Sequence, residues 1–253
     1  MEHILDYPPV LTLPEVDSTN TYMAAHAGDF SHGDVVMTLN QTGGRGQRGN
    51  TWESAPGLNV TMSVMLRPEG LSARQQFAIS EAVATAIADV TRSLVGPAAE
   101  VTVKWPNDIY AGDLKICGIL IENVLCGSRI ERSIAGIGLN VNQERFVSPA
   151  PNPVSVHMLT GMAHSVSETV ERLRETVLDN MRLTKSDEGL AELHSRYMSM
   201  LWRRHGYHPY RDAATGISFM AAIESIDTMG FLTLALPDGT VRRYAFKEVA
   251  AVL

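Results

Sequence analysis

Cysteine is nearly missing from this chain. Only Cys117 and Cys126 occur in 253 residues, and neither belongs to a C-x-x-C pair. That argues against a disulfide framework and reads as two free thiols in a reducing compartment. Long apolar runs are missing as well. None reaches the roughly 18 residues of a membrane span, and the segment from Met1 to Asp6 is charged and too short for a secretory core. Positive charge is scarce: 21 Lys and Arg against 28 Asp and Glu give a net −7. Such a balance does not suit general nucleic-acid binding, which needs a basic surface to displace counterions. These absences predict a cytoplasmic protein with neither nucleic acid nor membrane as a partner.

What is there is ordinary globular material, 45% hydrophobic and 19% charged. It suffices for one large core and a small second domain. Apolar patterning predicts strands over 34–40, 58–66, 101–105, 116–124 and 131–141. Ser72 and Gln75 form a capping-box signal, and Phe77, Ile79, Val83, Ile87, Val90 and Leu94 recur at helical spacing until Gly96-Pro97. Pro149, Pro151 and Pro153 mark a loop. A helix starting at Ser165 and Glu168 would face Val170, Leu173, Val177 and Met181 inward, and another runs over about 187–202. Beyond His205 the pattern changes to short strands at 217–226, 231–236 and 241–252, with a Pro237-Asp238-Gly239 turn. The expected division is a domain over 1–205 and a small β domain over 206–253.

Gly44-Arg45-Gly46-Gln47-Arg48-Gly49 follows a strand and spells G-x-G-x-x-G. A dinucleotide-binding turn needs a helix to open directly after it. Here Pro56-Gly57 denies the helix, and the Gly-Lys-Ser/Thr of a phosphate loop is absent. A flexible loop with two arginines remains. It serves either as a solvated surface turn or as a wrap for an anionic ligand. Ordering seven or eight such residues costs roughly 7–16 kcal/mol, whereas each charge-assisted hydrogen bond returns about 1.5–3 kcal/mol. The loop should therefore close only over a well-matched ligand, and closure would keep water from a reactive anhydride.

Three further segments add to this loop. Asp17-Ser18-Thr19-Asn20 precedes a helical pattern, and capping accounts for part of it. Lys104-Trp105-Pro106-Asn107-Asp108 reads as a strand end and turn. Lys115 to Glu122 opens a strand, and Gly136-Ile137-Gly138-Leu139-Asn140 ends another. Each alone is weak; in this order and spacing the set closely resembles the biotin protein ligase family. Gln41 and Trp52 belong to the same likeness, which covers roughly residues 10–253.

The resemblance implies an α/β (α+β) fold: a catalytic domain like those of class II aminoacyl-tRNA synthetases, with a mixed sheet, and a small SH3-like β-barrel at the C-terminus. It implies a ligase that forms biotinyl-5'-AMP from biotin and ATP with Mg²⁺, then moves biotin to a lysine of a biotin carboxyl carrier protein. Ser18, Thr19, Asn20, Gln41, Gly44, Arg45, Gly46, Gln47, Lys115 and Gly118 would bind biotin. Arg48, Trp52, Lys104, Asn107, Leu139 and Asn140 would bind ATP. Lys115, Arg45 and Arg48 would neutralise the reacting carboxylate and α-phosphate, and Asp108 would take the proton of the carrier lysine, which is mostly protonated at neutral pH. No protein metal site is assigned, since Mg²⁺ is expected through the ATP phosphates. A homodimer is an assembly that the resemblance allows.

Many members of that family carry arginine where Gln47 stands, so the closed loop is expected to hold the adenylate less tightly here. Cys117, two residues after Lys115, reads as a small strand side chain rather than a thioester nucleophile. His205 and His208 read as loop histidines, and Tyr197-Met198-Ser199-Met200 as core. Three other functions compete: a lipoate or octanoate ligase on the same general fold, a non-catalytic ligand-binding module, and a biotin-sensing transcription regulator. The last needs an N-terminal winged helix, and only 16 residues precede Asp17.

Overall fold

A computed structural model of the chain describes residues 8–46, 51–147 and 152–252. The larger part is a seven-stranded mixed sheet built from β1 (Leu11–Val16), β2 (Val35–Gln41), β3 (Val60–Leu66), β4 (Val101–Lys104), β5 (Asp108–Ala111), β6 (Leu114–Cys126) and β7 (Arg129–Leu139). Their spatial order is β1-β2-β3-β7-β6-β5-β4. Only β1 and β2 run parallel; the remaining neighbours are antiparallel.

The two-residue period of a strand decides what each sheet face carries. Val35, Met62, Val64, Ala135 and Ile137 point to one side and are almost fully buried. That side takes the helices α2 (Phe77–Val95), α4 (Val166–Leu183) and α5 (Asp187–Ser199). Each of the larger side chains among them contributes about 1.5–3 kcal/mol on burial. The intervening residues Val36, Met65 and Ile134 face the other side, where Met23 of the short helix α1 (Thr19–Ala25) covers them. On that same side β7 offers Gly136 and Gly138, and β3 offers Thr61 and Ser63. Small and polar residues at these pleat positions leave room above the sheet.

Helix ends follow the sequence signals. Ser18, Ser165 and Ser186 cap α1, α4 and α5, each accepting a backbone N–H of the first turn. Val170, Leu173, Val177 and Met181 do form the buried stripe of α4. At Ser72 the capping box forms, with the Gln75 side chain accepting the Ser72 N–H at 3.2 Å. It starts a 3₁₀ turn over Ala73–Gln75, and α2 begins only at Phe77. A further short helix, α3 (Val156–Thr160), follows the proline loop.

The C-terminal part is a five-stranded antiparallel sheet of β8 (His208–Asp212), β9 (Ser218–Ile226), β10 (Leu232–Ala235), β11 (Val241–Tyr244) and β12 (Val249–Ala251), ordered β11-β10-β9-β8-β12. The single strand expected over 241–252 is therefore two. The chain bends between them, where Lys247 takes a positive φ of 70°. This module is fastened to the sheet through the Lys104–Asp108 turn: Trp105 Nε1 donates to Gly230 O at 3.1 Å and its ring meets Phe246 edge-on. Among the described residues no helix is long and apolar enough to cross a membrane.

Candidate active site

A cavity of about 900 Å³ lies over the glycine-bearing face of the sheet and reaches the C-terminal module. Its polar end is assembled from α1 and the strands beneath. Thr19 donates its backbone N–H to Gln41 Oε1 at 3.0 Å. Ser63 Oγ lies 2.8 Å from Thr19 Oγ1 and 2.6 Å from Asn20 Oδ1. Asn20 Nδ2 in turn donates to Leu120 O at 3.2 Å and Glu122 Oε2 at 2.8 Å. Ser18, Thr19, Asn20 and Ser63 are all buried. Both hydrogens of the Asn20 amide are thus taken by protein.

Gly136 permits this packing, since a Cβ there would stand 2.4 Å from Asn20 Oδ1. Gly118 and Gly138 make the next stretch of floor, and the Trp52 indole lies on them. A Cβ on Gly138 would fall 2.5 Å from Trp52 Cε2 and Nε1, and one on Gly118 2.9 Å from Cζ3. Trp52 Nε1 is buried with no hydrogen-bond partner. An orphaned donor is costly, about 1–3 kcal/mol, and calls for an acceptor from a ligand.

Lys115 stands over the same tryptophan, its Nζ 5.6 Å from the ring centroid and 2.8 Å from Asp108 Oδ1. Its backbone is clamped from outside the sheet, by Lys115 N to Asn152 O at 2.8 Å and Val154 N to Lys115 O at 3.0 Å. Arg45 reaches in from the glycine loop and places Nη2 3.5 Å from Glu122 Oε2. Asn140, 1% exposed, ties Nδ2 to Val154 O at 2.9 Å and leaves Oδ1 buried without a partner.

The remaining expected residues divide. Ser18, Gln41, Gly46, Lys104, Asn107 and Asp108 line the cavity. Asn107 is turned to the protein, donating to Ile119 O at 2.5 Å. Lys104 donates to Tyr110 Oη at 2.9 Å and sits against the Tyr110 and Trp202 rings. Leu139 is not brought to the cavity: it is fully buried on the helix side because the pleat alternates. Gly44 stays behind the wall, where its carbonyl accepts Trp52 N–H at 2.9 Å. Gln47 and Arg48 lie outside the described residues.

Burial drives the Cys117 thiol far above its ordinary range, which disarms it as a nucleophile. The half-buried His208 contacts the His205 carbonyl, and no metal-binding group of three or more His, Cys, Asp or Glu exists among the described residues.

Several residues at the wall or directly behind it were not singled out from the sequence. Ser63 and Glu122 are strand positions inside apolar stretches, and a polar residue at such a pleat position is the one signal that could have marked them. Glu53 is held by Gln143 Nε2 at 3.2 Å and by the Val147 N–H at 2.9 Å, which joins the segments on either side of the cavity mouth. Phe146, Tyr210, Phe246 and Lys247 also reach the wall, and only the tertiary fold brings them there.

The bifunctional ligase/repressor BirA of Escherichia coli K12 is 36% identical over 148 residues, which are 58% of this chain and 45% of that protein. The chain thus spans less than half the length of that relative. The biotin--[acetyl-CoA-carboxylase] ligase of Paracoccus denitrificans is 35% identical over 64% of this chain and 68% of its own length. Among solved structures, the biotin protein ligase of Aquifex aeolicus in complex with biotin and ATP superposes with a TM-score of 0.74 at 20% identity, over 96% of this chain and 98% of that one. The Leishmania major biotin protein ligase in complex with biotinyl-5-AMP gives 0.64 at 22% identity, over 94% and 99%. At these identities the superpositions establish the fold. Residues 13–140, about half of the sequence, match the biotin/lipoate A/B protein ligase family, and the chain belongs to that family.

Proposed function

We propose that this chain activates biotin with ATP as biotinyl-5'-AMP and transfers the biotinyl group to a lysine of a biotin carboxyl carrier protein. The observation that carries the reading is the convergence, in one cavity, of Lys115, the loop residue Arg45 and a polar end made by Thr19, Gln41 and Asn20 and backed by Ser63. The polar end suits a ureido ring, which needs hydrogen-bond partners once it is out of water. The names of the relatives support biotin, and the Aquifex aeolicus structure, solved with biotin and ATP, supports ATP as the second substrate.

In the first step a biotin carboxylate oxygen attacks the α-phosphorus and pyrophosphate leaves. Both partners are anions. Lys115 and Arg45 neutralise them, and preorganised charge of this kind supplies most of the rate. For that, Arg45 leaves Glu122 and the glycine loop closes over the product. Trp52 Nε1 offers its free donor to the nucleotide side. In the second step the carrier amine attacks the acyl carbon, AMP departs, and Asp108, released by Lys115, accepts the amine proton. Mg²⁺ would enter on the nucleotide phosphates, since it keeps most of its water and takes one or two protein oxygens. Asn140 Oδ1, buried without a protein partner, is the oxygen that would hold it, and it would offset the polyphosphate charge.

The reading places catalysis in residues 1–205 and assigns 206–253 to an SH3-like module that closes one side of the cavity, in a cytoplasmic protein. The test is intact-mass spectrometry of a carrier domain incubated with the chain, ATP and one acid at a time. Addition of a single biotinyl group is expected. Modification by lipoate or octanoate in preference to biotin would replace this reading with the other branch of the family.

A further inference from the structure

The polar end of the cavity contains a line of hydrogen bonds whose direction is dictated by chemistry. Asn20 Nδ2 meets Leu120 O at 3.2 Å and Glu122 Oε2 at 2.8 Å. Both partners are acceptors, so a flipped amide would set oxygen against oxygen; the nitrogen must be there. Oδ1 then faces Ser63 Oγ at 2.6 Å. An amide oxygen only accepts, so Ser63 spends its one hydrogen on Asn20. Thr19 Oγ1, 2.8 Å from Ser63 Oγ, must therefore donate to Ser63. The competing acceptor, Gln41 Oε1, is 3.5 Å away and already holds the Thr19 N–H at 3.0 Å. A contact at that distance is too long to win the hydrogen. The Thr19 hydroxyl is left with lone pairs only. Ser63 is wholly buried and Thr19 and Asn20 are each 3% exposed, so bulk water does not reset the order.

We infer that Glu122, Asn20 and Ser63 are positioning residues that hold Thr19 as a hydrogen-bond acceptor, and so select an acid whose far end carries N–H donors. The inference rests on the proposed function and deepens it. A ureido ring supplies such donors; a disulfide ring or an alkyl end does not, and would leave the Thr19 oxygen facing an apolar group. None of the three positioning residues needs to touch the ligand. Glu122 also faces Arg45 Nη2 at 3.5 Å, so the carboxylate that begins the line is shared with that arginine.

The test is calorimetric titration of the full chain with biotin and with its cyclic-carbonate analogue, in which both ring N–H groups are oxygen. Sites built around a donor reject analogues lacking it strongly, so wild type should prefer biotin by at least ~100-fold. Ser63→Ala frees the Thr19 hydroxyl to turn and donate, and the preference should shrink below ~10-fold. A purely structural role for Ser63 would weaken both acids alike and keep the ratio, and that result overturns the inference. Should Ser63→Ala not fold, Asn20→Ala removes the acceptor that orders Ser63 and is read in the same way. Equal affinity of wild type for the two acids overturns the inference alone, leaving biotin activation in place. Binding of neither acid overturns both.

Discussion

Lys115 Nζ and Asp108 Oδ1 face each other at 2.8 Å across the antiparallel pairing of β5 and β6, and both side chains are 29% exposed. The pair stands at the point where the carboxylate and the α-phosphate are proposed to meet. Lys115→Ala should lower biotin-dependent pyrophosphate release by about 10²–10³-fold, the usual loss for one charge-stabilising group. Normal pyrophosphate release by that variant would remove Lys115 from the mechanism.

Asp108→Asn separates the two steps. As a base for the carrier lysine, Asp108 should matter to transfer, with a loss of about 10²-fold when pre-formed biotinyl-5'-AMP is supplied. Adenylate formation should change far less. Equal losses in both steps would mean that Asp108 acts only by holding Lys115.

Gly138→Ala places a methyl group 2.5 Å from the Trp52 indole. Overpacking of this kind costs about 1–3 kcal/mol, so affinity for biotinyl-5'-AMP should fall roughly 5–150-fold. Trp52 fluorescence should shift at the same time. Unchanged fluorescence and affinity would show that the indole does not rest on this strand in solution.

Cys117 is buried beneath the site and its thiol is pushed up by that burial. Cys117→Ala should retain biotin transfer within about threefold. Iodoacetamide should label only the exposed Cys126 in the native protein. Complete loss of transfer in the alanine variant would revive a thioester route.

His194 on α5 meets Glu81 of α2 at 2.7 Å, and the hydrogen bond to that carboxylate raises the imidazole pKa above its ordinary 6.5. The folded state therefore keeps a proton that the unfolded chain releases. This stabilisation is complete below about pH 6.5 and is lost as pH rises through the raised value. Urea midpoints measured from pH 6 to pH 8.5 should fall more steeply for wild type than for His194→Gln. Parallel profiles would mean that the pair does not contribute in this way. Partial exposure of His194 keeps the effect small.

Much of the fold is legible in the sequence because long elements carry their own period. The buried stripe of α4, the run of α2 and the alternation of β3 and β7 are examples. The elements that escape are short or masked by turn chemistry. β5 spans four residues directly after Pro106-Asn107, a turn signal, and β1 carries Pro14 within an edge strand. β8 opens beside two histidines and a proline. The site shows the same division. Lys115, Arg45, Thr19 and Gln41 were marked by motif, and the cavity collects them. The Lys115–Asp108 pairing was not legible, because it depends on β5 lying against β6. Leu139 shows the converse: it lies inside a motif, yet its pleat position sends it to the core.

The central claim is that this cavity joins biotin to the α-phosphate of ATP. Pyrophosphate–ATP exchange in the absence of any carrier measures that step alone. The account predicts exchange that requires biotin, is not supported by lipoate, and falls by about 10²–10³-fold in Lys115→Ala. Exchange that proceeds without biotin, or is undiminished in Lys115→Ala, would contradict it.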